Sequence, residues 1–221
     1  DPNFMKVNPS FLLSDNYVNL RKKEIKENAS LFEPLDYQKA GTVYLATADQ
    51  EGNMVSLIQS NYMGFGSGVV IDGTGISMQN RGHTFKLDES HHNKLEPRKK
   101  TYHTIIPGFL MQGRQPIGPF GIMGGFMQPQ AHVQVLMNLI DFQMNPQAAL
   151  DAPRFRWDEG LKVAVENSMD PSLIDALKEK GHDIVIEPRG SSFGRGQIIL
   201  KKGDHYECGT ETRCDGLIAY E

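Results

Sequence analysis

The stretch Gly41–Phe65, GTVYLATADQEGNMVSLIQSNYMGF, constrains what this chain can fold into more than any other. Apolar and polar residues alternate over Thr42–Ala48 and again over Met54–Ser60, the period of two expected of half-buried strands. The turn-forming run Asp49-Gln50-Glu51-Gly52-Asn53 separates them, so the stretch predicts a β-hairpin. Gly41, a residue without a side chain, stands directly before the hydroxyl residue Thr42 at the head of the first strand.

Around this hairpin the pattern is mixed. A first helix is predicted within Pro9–Ala29, with Ser14 as its N-cap, and a loop over 29–40 containing Pro34. After the hairpin, Gly64, Gly66 and Gly68 precede short β-branched runs and a strand at Ile76–Met78, spacing that suggests close backbone approach. Periodicity disappears between Gln79 and Tyr102; a connection of that length is usually a functional lid or a disordered segment. Strands follow at Thr104–Leu110 and Ile117–Met123, then a helix at Gln130–Met144 with Pro129 in its first turn. Val133, Leu136, Met137 and Ile140 form one apolar face of that helix and Val135 and Leu139 a second, which predicts burial between layers. A short helix is expected at Pro146–Leu150 and a strand at Leu161–Val165. Another helix is capped by Asp170 and stopped by Gly181. Closing strands are expected at Asp183–Glu187, Gly196–Lys201 and Leu217–Tyr220, with His205–Cys208 extending the sheet. Strands outnumber helices, and helices come in blocks, which favours an α+β layered fold with mostly antiparallel sheets.

Composition excludes several classes. The 221 residues carry a formal net charge of −4, against the basic excess usual in nucleic-acid binders. No apolar run approaches the roughly 18 residues that cross a bilayer. The N-terminus, Asp1-Pro2-Asn3-Phe4, has no signal-peptide pattern and reads as the start of a fragment, so any targeting segment would lie upstream. The two cysteines, Cys208 and Cys214, do not match a zinc site; pairing across a turn and two free thiols both stay open. The seven histidines include an adjacent pair, His91-His92, which without spaced Cys, Asp or Glu partners reads as solvated loop. Arg98-Lys99-Lys100 likewise reads as a solvated run. No G-x-S-x-G elbow is present, and the glycines at 64, 66 and 68 do not open a helix as a phosphate loop would. On propensity alone Thr42 is a strand-opening β-former.

From about Thr42 to Tyr220 the chain resembles the small subunit of the γ-glutamyltranspeptidase family of N-terminal-nucleophile hydrolases. The resemblance rests on T-x6-D-x-x-G-N over Thr42–Asn53, F-G-x-G over Phe65–Gly68 and the pair Gly124-Gly125. It is completed by Asp151-Ala152-Pro153-Arg154-Phe155 and a terminal D-G-x-x-x-Y over Asp215–Tyr220. It implies a four-layer αββα sandwich, with residues 1–41 as the tail of the large-subunit region and residues 42–221 as the catalytic domain. It also implies self-cleavage between Gly41 and Thr42, which exposes Thr42 as a new N-terminus. An α-amine titrates near 7.7–8.0, so the freed amine can serve as general base for its own hydroxyl. Carried over by position, Ser60 supports the nucleophile, and the backbone N–H groups of Gly124 and Gly125 form the oxyanion hole. No cofactor and no metal are implied. The partners implied are a small-molecule γ-glutamyl or acyl-amide substrate and the missing large-subunit portion of the same precursor; a homo-oligomer is compatible, and neither nucleic acid nor membrane is.

The substrate-binding positions of the resemblance fall on Tyr62, Arg81, Thr84, His103 and Thr104, and they depart from the transpeptidase pattern. Thr84 stands where transpeptidases carry the acidic residue that grips the substrate ammonium, His103-Thr104 where they carry two serines, and Arg81 where they carry glutamine. Losing a carboxylate and gaining a guanidinium favours an acyl group with a terminal carboxylate and tolerates a missing amine. The sequence around Arg81 is similar to the cephalosporin-acylase-like branch. Three readings follow: a γ-glutamyl or glutaryl-like acyltransferase or amidohydrolase, a glutaryl-β-lactam acylase with the same mechanism, and an unprocessed relative acting as a binding or structural protein.

Overall fold

The computed structural model describes residues 2–5, 7–31 and 41–220 of the chain. The predicted hairpin is present as β1 (Gly41–Ala48) and β2 (Met54–Tyr62), an antiparallel pair in which Thr42 lies opposite Ser60. Its turn is built by Asp49, whose carboxylate accepts from the backbone N–H of Asn53 at 2.8 Å and from the Asn53 side-chain amide at 2.8 Å. The Asn53 side-chain bond, with further backbone N–H groups, holds the Asp49 carboxyl below its ordinary range. Gly52 supplies the left-handed residue of the turn, at φ +88°.

Beyond the hairpin run β3 (Val70–Ile71), β4 (Ile76–Ser77), β5 (Gly108–Gln112) and β6 (Gln115–Met123). After helices α3 (Met127–Ile140) and α4 (Pro146–Asp151) come β7 (Phe155–Glu159), β8 (Lys162–Glu166), α5 (Pro171–Glu179), β9 (Asp183–Glu187), β10 (Arg195–Lys202) and β11 (His205–Thr210). Strands β11, β10, β6 and β5, in that spatial order, form an antiparallel sheet. A second sheet, β7-β8-β9, pairs β8 with β9 in parallel, because α5 supplies the crossover that two parallel strands require. Helices α3 and α4 pack on the four-stranded sheet through Ala131, Val135, Leu139 and Leu150 against Ile122 and Ile198. Each large apolar side chain buried here contributes about 1.5–3 kcal/mol.

The hairpin meets this sheet through Tyr44. Its ring lies on Gly121, where an added Cβ would come within 2.4 Å of a ring carbon, and its hydroxyl bonds the Ser56 hydroxyl at 2.8 Å. Burial pushes the Tyr44 phenol up to about 12. Gly121→Ala is therefore expected to drive the ring off the sheet and to destabilise the protein by about 1–3 kcal/mol, read as a lowered melting temperature.

Helix α3 also acts as a strand substitute. The Gln130 carboxamide accepts from Trp157 N at 2.7 Å and donates to Trp157 O at 3.1 Å; Gln134 does the same to Phe155, at 3.0 and 2.9 Å. Four helical residues advance about 6 Å and two strand residues about 6.6 Å, so the two side chains meet alternate residues of the edge strand β7 in step.

Several expectations are corrected. The N-terminal helix is two pieces, α1 (Pro9–Leu12) and α2 (Asp15–Lys22), divided where the Ser14 side chain caps α2 by accepting from Tyr17 N; the predicted loop over 29–40 lies mostly outside the described residues. Helix α3 begins three residues earlier than predicted and ends at Ile140, and only one of its apolar faces is buried: Val133 and Met137 are exposed. The strand expected from Thr104 begins at Gly108, because the backbone of 104–106 is bonded to side chains of α3 instead. Leu217–Tyr220 is not a strand. Gly216 lies against the side chains of Thr210 and Gln197, leaving no room for a Cβ, and residues 217–220 take no regular secondary structure. Strand β7 was not predicted. Cys208 and Cys214 are free thiols.

The segment from Gln79 to Tyr102 is neither periodic nor loose. It opens with a 3-10 turn at Arg81–Thr84 and closes on itself where Asn93 donates to Thr84 O at 2.8 Å and Leu95 N donates to Lys86 O at 2.9 Å.

Candidate active site

The hairpin register creates the centre of the site. The Thr42 hydroxyl donates to the Ser60 hydroxyl at 3.0 Å, and the Ser60 oxygen also accepts from Tyr62 N at 2.9 Å. The second bond requires an irregular strand end: the register shifts between Gly41 and Thr42, and Tyr62 adopts φ +74°. A buried aromatic residue in the left-handed region stores on the order of 1–3 kcal/mol of strain, a feature that clusters at functional sites. Thr42 is only 9% exposed.

The next link is Arg81. The glycine-rich stretch folds so that Gly66, at φ +76°, lies against the Met78 carbonyl, where any Cβ would be 2.3 Å from the oxygen. Asn80 then ties the two runs together, accepting from Met63 N at 3.0 Å and donating to Gly66 O at 3.2 Å. This places the Arg81 guanidinium beside the hairpin end. Its Nη2 donates to Ser60 O at 3.1 Å, its Nε to the Thr104 hydroxyl at 2.8 Å and its Nη1 to Gln79 Oε1 at 3.3 Å, while its Cζ lies 5.9 Å from the Tyr62 ring centroid. Arg81 is 7% exposed, and burial pulls its pKa below the ordinary arginine value. Among the described residues no Asp or Glu forms an ion pair with it.

Of the positions singled out in the sequence, Thr42, Ser60, Tyr62, Arg81 and Thr104 are thus brought together. Thr84 is adjacent but inward-facing: its hydroxyl donates to Arg81 O at 2.8 Å and also bonds the Thr101 hydroxyl. His103 is not gathered in; it is exposed, and its Nδ1 accepts from Ile105 N at 3.4 Å. Gly124 and Gly125, at φ +145° and +60°, form the junction between β6 and α3, with their carbonyls accepting the first helical N–H groups, from Met127 and Gln128. An added Cβ at Gly124 would sit 3.0 Å from the Gly194 Cα, so a close backbone approach fixes that turn. Among the described residues no cluster of three or more His, Cys, Asp or Glu is placed to hold a metal ion. His91 and His92 are exposed.

Sequence reading missed Gln128. It is fully buried, and its carboxamide accepts from Ile106 N at 2.9 Å and donates to Thr104 O at 3.2 Å. The available signal was a glutamine inside an apolar helical pattern, which invites the question of what its amide bonds.

A strand-borne hydroxyl pair backed by a buried guanidinium, on an α+β scaffold, defines a candidate hydroxyl-nucleophile site. The chain belongs to the gamma-glutamyltranspeptidase family, whose model matches residues 1–220. It is 39% identical over 195 residues to the glutathione hydrolase-like YwrD proenzyme of Bacillus subtilis, covering 84% of this chain and 36% of that protein. It is 34% identical over 185 residues to the oxamate amidohydrolase proenzyme of Klebsiella pneumoniae, covering 80% of this chain and 35% of that protein. Among solved structures, the cephalosporin acylase from Bacillus halodurans superposes with a TM-score of 0.91 at 56% identity, over all of this chain and 41% of that one. The fold is accordingly the N-terminal-nucleophile hydrolase sandwich implied by the sequence motifs. The chain spans little more than a third of the length of the two curated relatives.

Proposed function

We propose that this chain carries the nucleophile of an autoprocessing threonine amidohydrolase or acyltransferase, acting on γ-glutamyl or glutaryl-like amides. The observation that carries the reading is the line Thr42–Ser60–Arg81. A nucleophilic hydroxyl is held by a second hydroxyl, and one residue away lies a buried guanidinium with no acidic partner among the described residues. In the precursor, Thr42 Oγ1 attacks the Gly41 carbonyl and water releases the resulting ester, leaving Thr42 with a free amine. The same oxygen then attacks the substrate amide. Its proton passes to the Thr42 amine and on to the departing amine, and the acyl-Thr42 ester is resolved by water or by an acceptor amine. Gly124 and Gly125 would receive the developing oxyanion. A substrate carboxylate would supply Arg81 with its missing counter-charge.

The same site supports a glutaryl-acylase activity, a reading favoured by the likeness to the Bacillus halodurans acylase and by the absence of an acidic residue at Thr84. The relatives named proenzymes support a cleavage step, with residues 1–41 ending the large-subunit portion and residues 42–221 forming the catalytic domain. The outward face of the hairpin bears Val43, Leu45, Val55 and Leu57, each at least 42% exposed. That apolar face supports the remainder of the precursor as the partner that covers it. Rates on glutaryl and γ-glutamyl anilides test the substrate reading: comparable or faster glutaryl turnover is expected, and a strong γ-glutamyl preference would sink the argument from Arg81 and Thr84. An intact mass with no fragment beginning at Thr42, together with no turnover, would instead identify a binding protein.

A further inference from the structure

We propose that Gln128 is a positioning residue that sets the length of acyl chain the site accepts; this rests on the function proposed above. Gln128 is tied at both ends to parts of the site that come from different elements. Its backbone N–H donates to Gly125 O at 3.1 Å, at the glycine turn, and its side chain brackets Ile105 by bonding Thr104 O and Ile106 N. Thr104 in turn accepts from Arg81. A single residue therefore spans from the turn proposed to hold the oxyanion to the segment that holds the guanidinium proposed to meet the distal carboxylate. The distance between those two points is the length of the acyl group.

Three features separate this role from ordinary helix packing. A carboxamide offers one donor group and one acceptor, the complement of a peptide unit, so the bonds fix the segment in direction as well as place. The segment 104–106 belongs to no strand, since β5 begins only at Gly108, and α3 supplies its partners in place of a sheet. His132, one turn along the same helix and buried, reinforces the grip. Its Nε2 lies 3.1 Å from Ile106 O and its Nδ1 2.6 Å from Gln128 O; the neutral ring that burial favours donates to one of these two carbonyls, so in the Nε2–H tautomer α3 meets both backbone groups of Ile106. Gln130 provides an internal comparison: it makes the same pair of bonds from the same helix, but to Trp157 on the edge strand β7.

The test compares Gln128→Met with Gln130→Met in the complete protein. Each keeps the length of the side chain and loses both bonds. A series of dicarboxylic monoanilides, succinyl, glutaryl and adipyl, reads the acyl length. The wild type is expected to prefer one length sharply. Gln128→Met should raise KM for the preferred length about tenfold, flatten the profile and leave kcat within about twofold, whereas Gln130→Met should keep the wild-type profile. Amide hydrogen exchange gives a readout that does not need turnover: Gln128→Met should speed exchange at Ile106 and, through Arg81 and Ser60, at Tyr62. An unchanged length profile in Gln128→Met, or faster exchange at Ile106 with none at Tyr62, overturns the inference. Wild-type protein that turns over none of the series overturns the functional reading, while exchange at Tyr62 still decides whether Gln128 holds the site together.

Discussion

Thr42→Ala is expected to leave the complete protein as one uncleaved polypeptide and to lower amide turnover by about 10⁴-fold or more. The substitution removes the Oγ1 that β1 presents to Ser60 and that the proposed attack uses. Thr42→Ser, which keeps the oxygen and loses a methyl, should still cleave, more slowly. Intact-mass measurement over days at neutral pH separates the outcomes: two fragments from the serine variant and one species from the alanine variant. Cleavage of Thr42→Ala at the same bond would show that the nucleophile lies elsewhere.

The second large effect concerns stability. Arg154, Glu166, Glu211 and Arg213 form a closed ionic cluster, none of them more than 7% exposed. Glu211 accepts from Arg154 Nη2 at 2.8 Å, from Arg213 Nη1 at 2.7 Å and from Gly196 N at 3.1 Å; Glu166 accepts from Arg213 Nη2 at 2.6 Å and from Arg154 N at 3.0 Å. Arg154 also donates to the carbonyls of Phe193 and Gly194, the second of which packs on the Gly124 turn. Glu211→Ala leaves the Arg154 guanidinium without the carboxylate it pairs with and Arg213 with Glu166 alone. Removing one partner from a buried ion pair costs about 3–5 kcal/mol, which for a unit of this size lowers the melting temperature by about 10 °C or more. Scanning calorimetry of the purified variant checks this; a shift of under about 3 °C would show that water or a rearranged partner replaces the carboxylate.

Much of this was legible in the sequence, and what was not has physical reasons. The hairpin could be read because its period, its turn residues and its glycine all agree. The Asp170 cap of α5 was equally direct: its side chain accepts from Ser172 N at 2.8 Å. Strand β7 could not be read because its inward residue is Arg156, held in place by Asp158 and Glu187. A charged residue made buriable by one carboxylate on its own strand and another 31 residues away breaks the apolar alternation on which strand prediction depends. The exposed face of α3 misled for the opposite reason, since apolar side chains report what must be covered and not what covers it within this chain. At the site, Thr42, Ser60 and Arg81 were singled out through the family resemblance, and the structure brings them together. That Arg81 would also brace the Ser60 carbonyl, and that Gln128 would hold Thr104, depends on side-chain reach across elements that no local pattern records.

The links that build the site are evenly spaced along the chain. Thr42 meets Ser60 across 18 residues, Ser60 meets Arg81 across 21, Arg81 meets Thr104 across 23 and Thr104 meets Gln128 across 24. Each contact thus closes a loop of modest size onto a point that the preceding contact has already fixed. Closure entropy rises only with the logarithm of loop length, about 0.6 kcal/mol for each doubling, but the search for a single distant contact yields nothing until it is found. Four closures of similar, modest length thus link the hairpin, the Arg81 turn, the Thr104 segment and helix α3. For the self-cleavage proposed above, such a series of links lets Thr42 be held by Ser60 within its own hairpin, independently of the contacts that complete the substrate pocket.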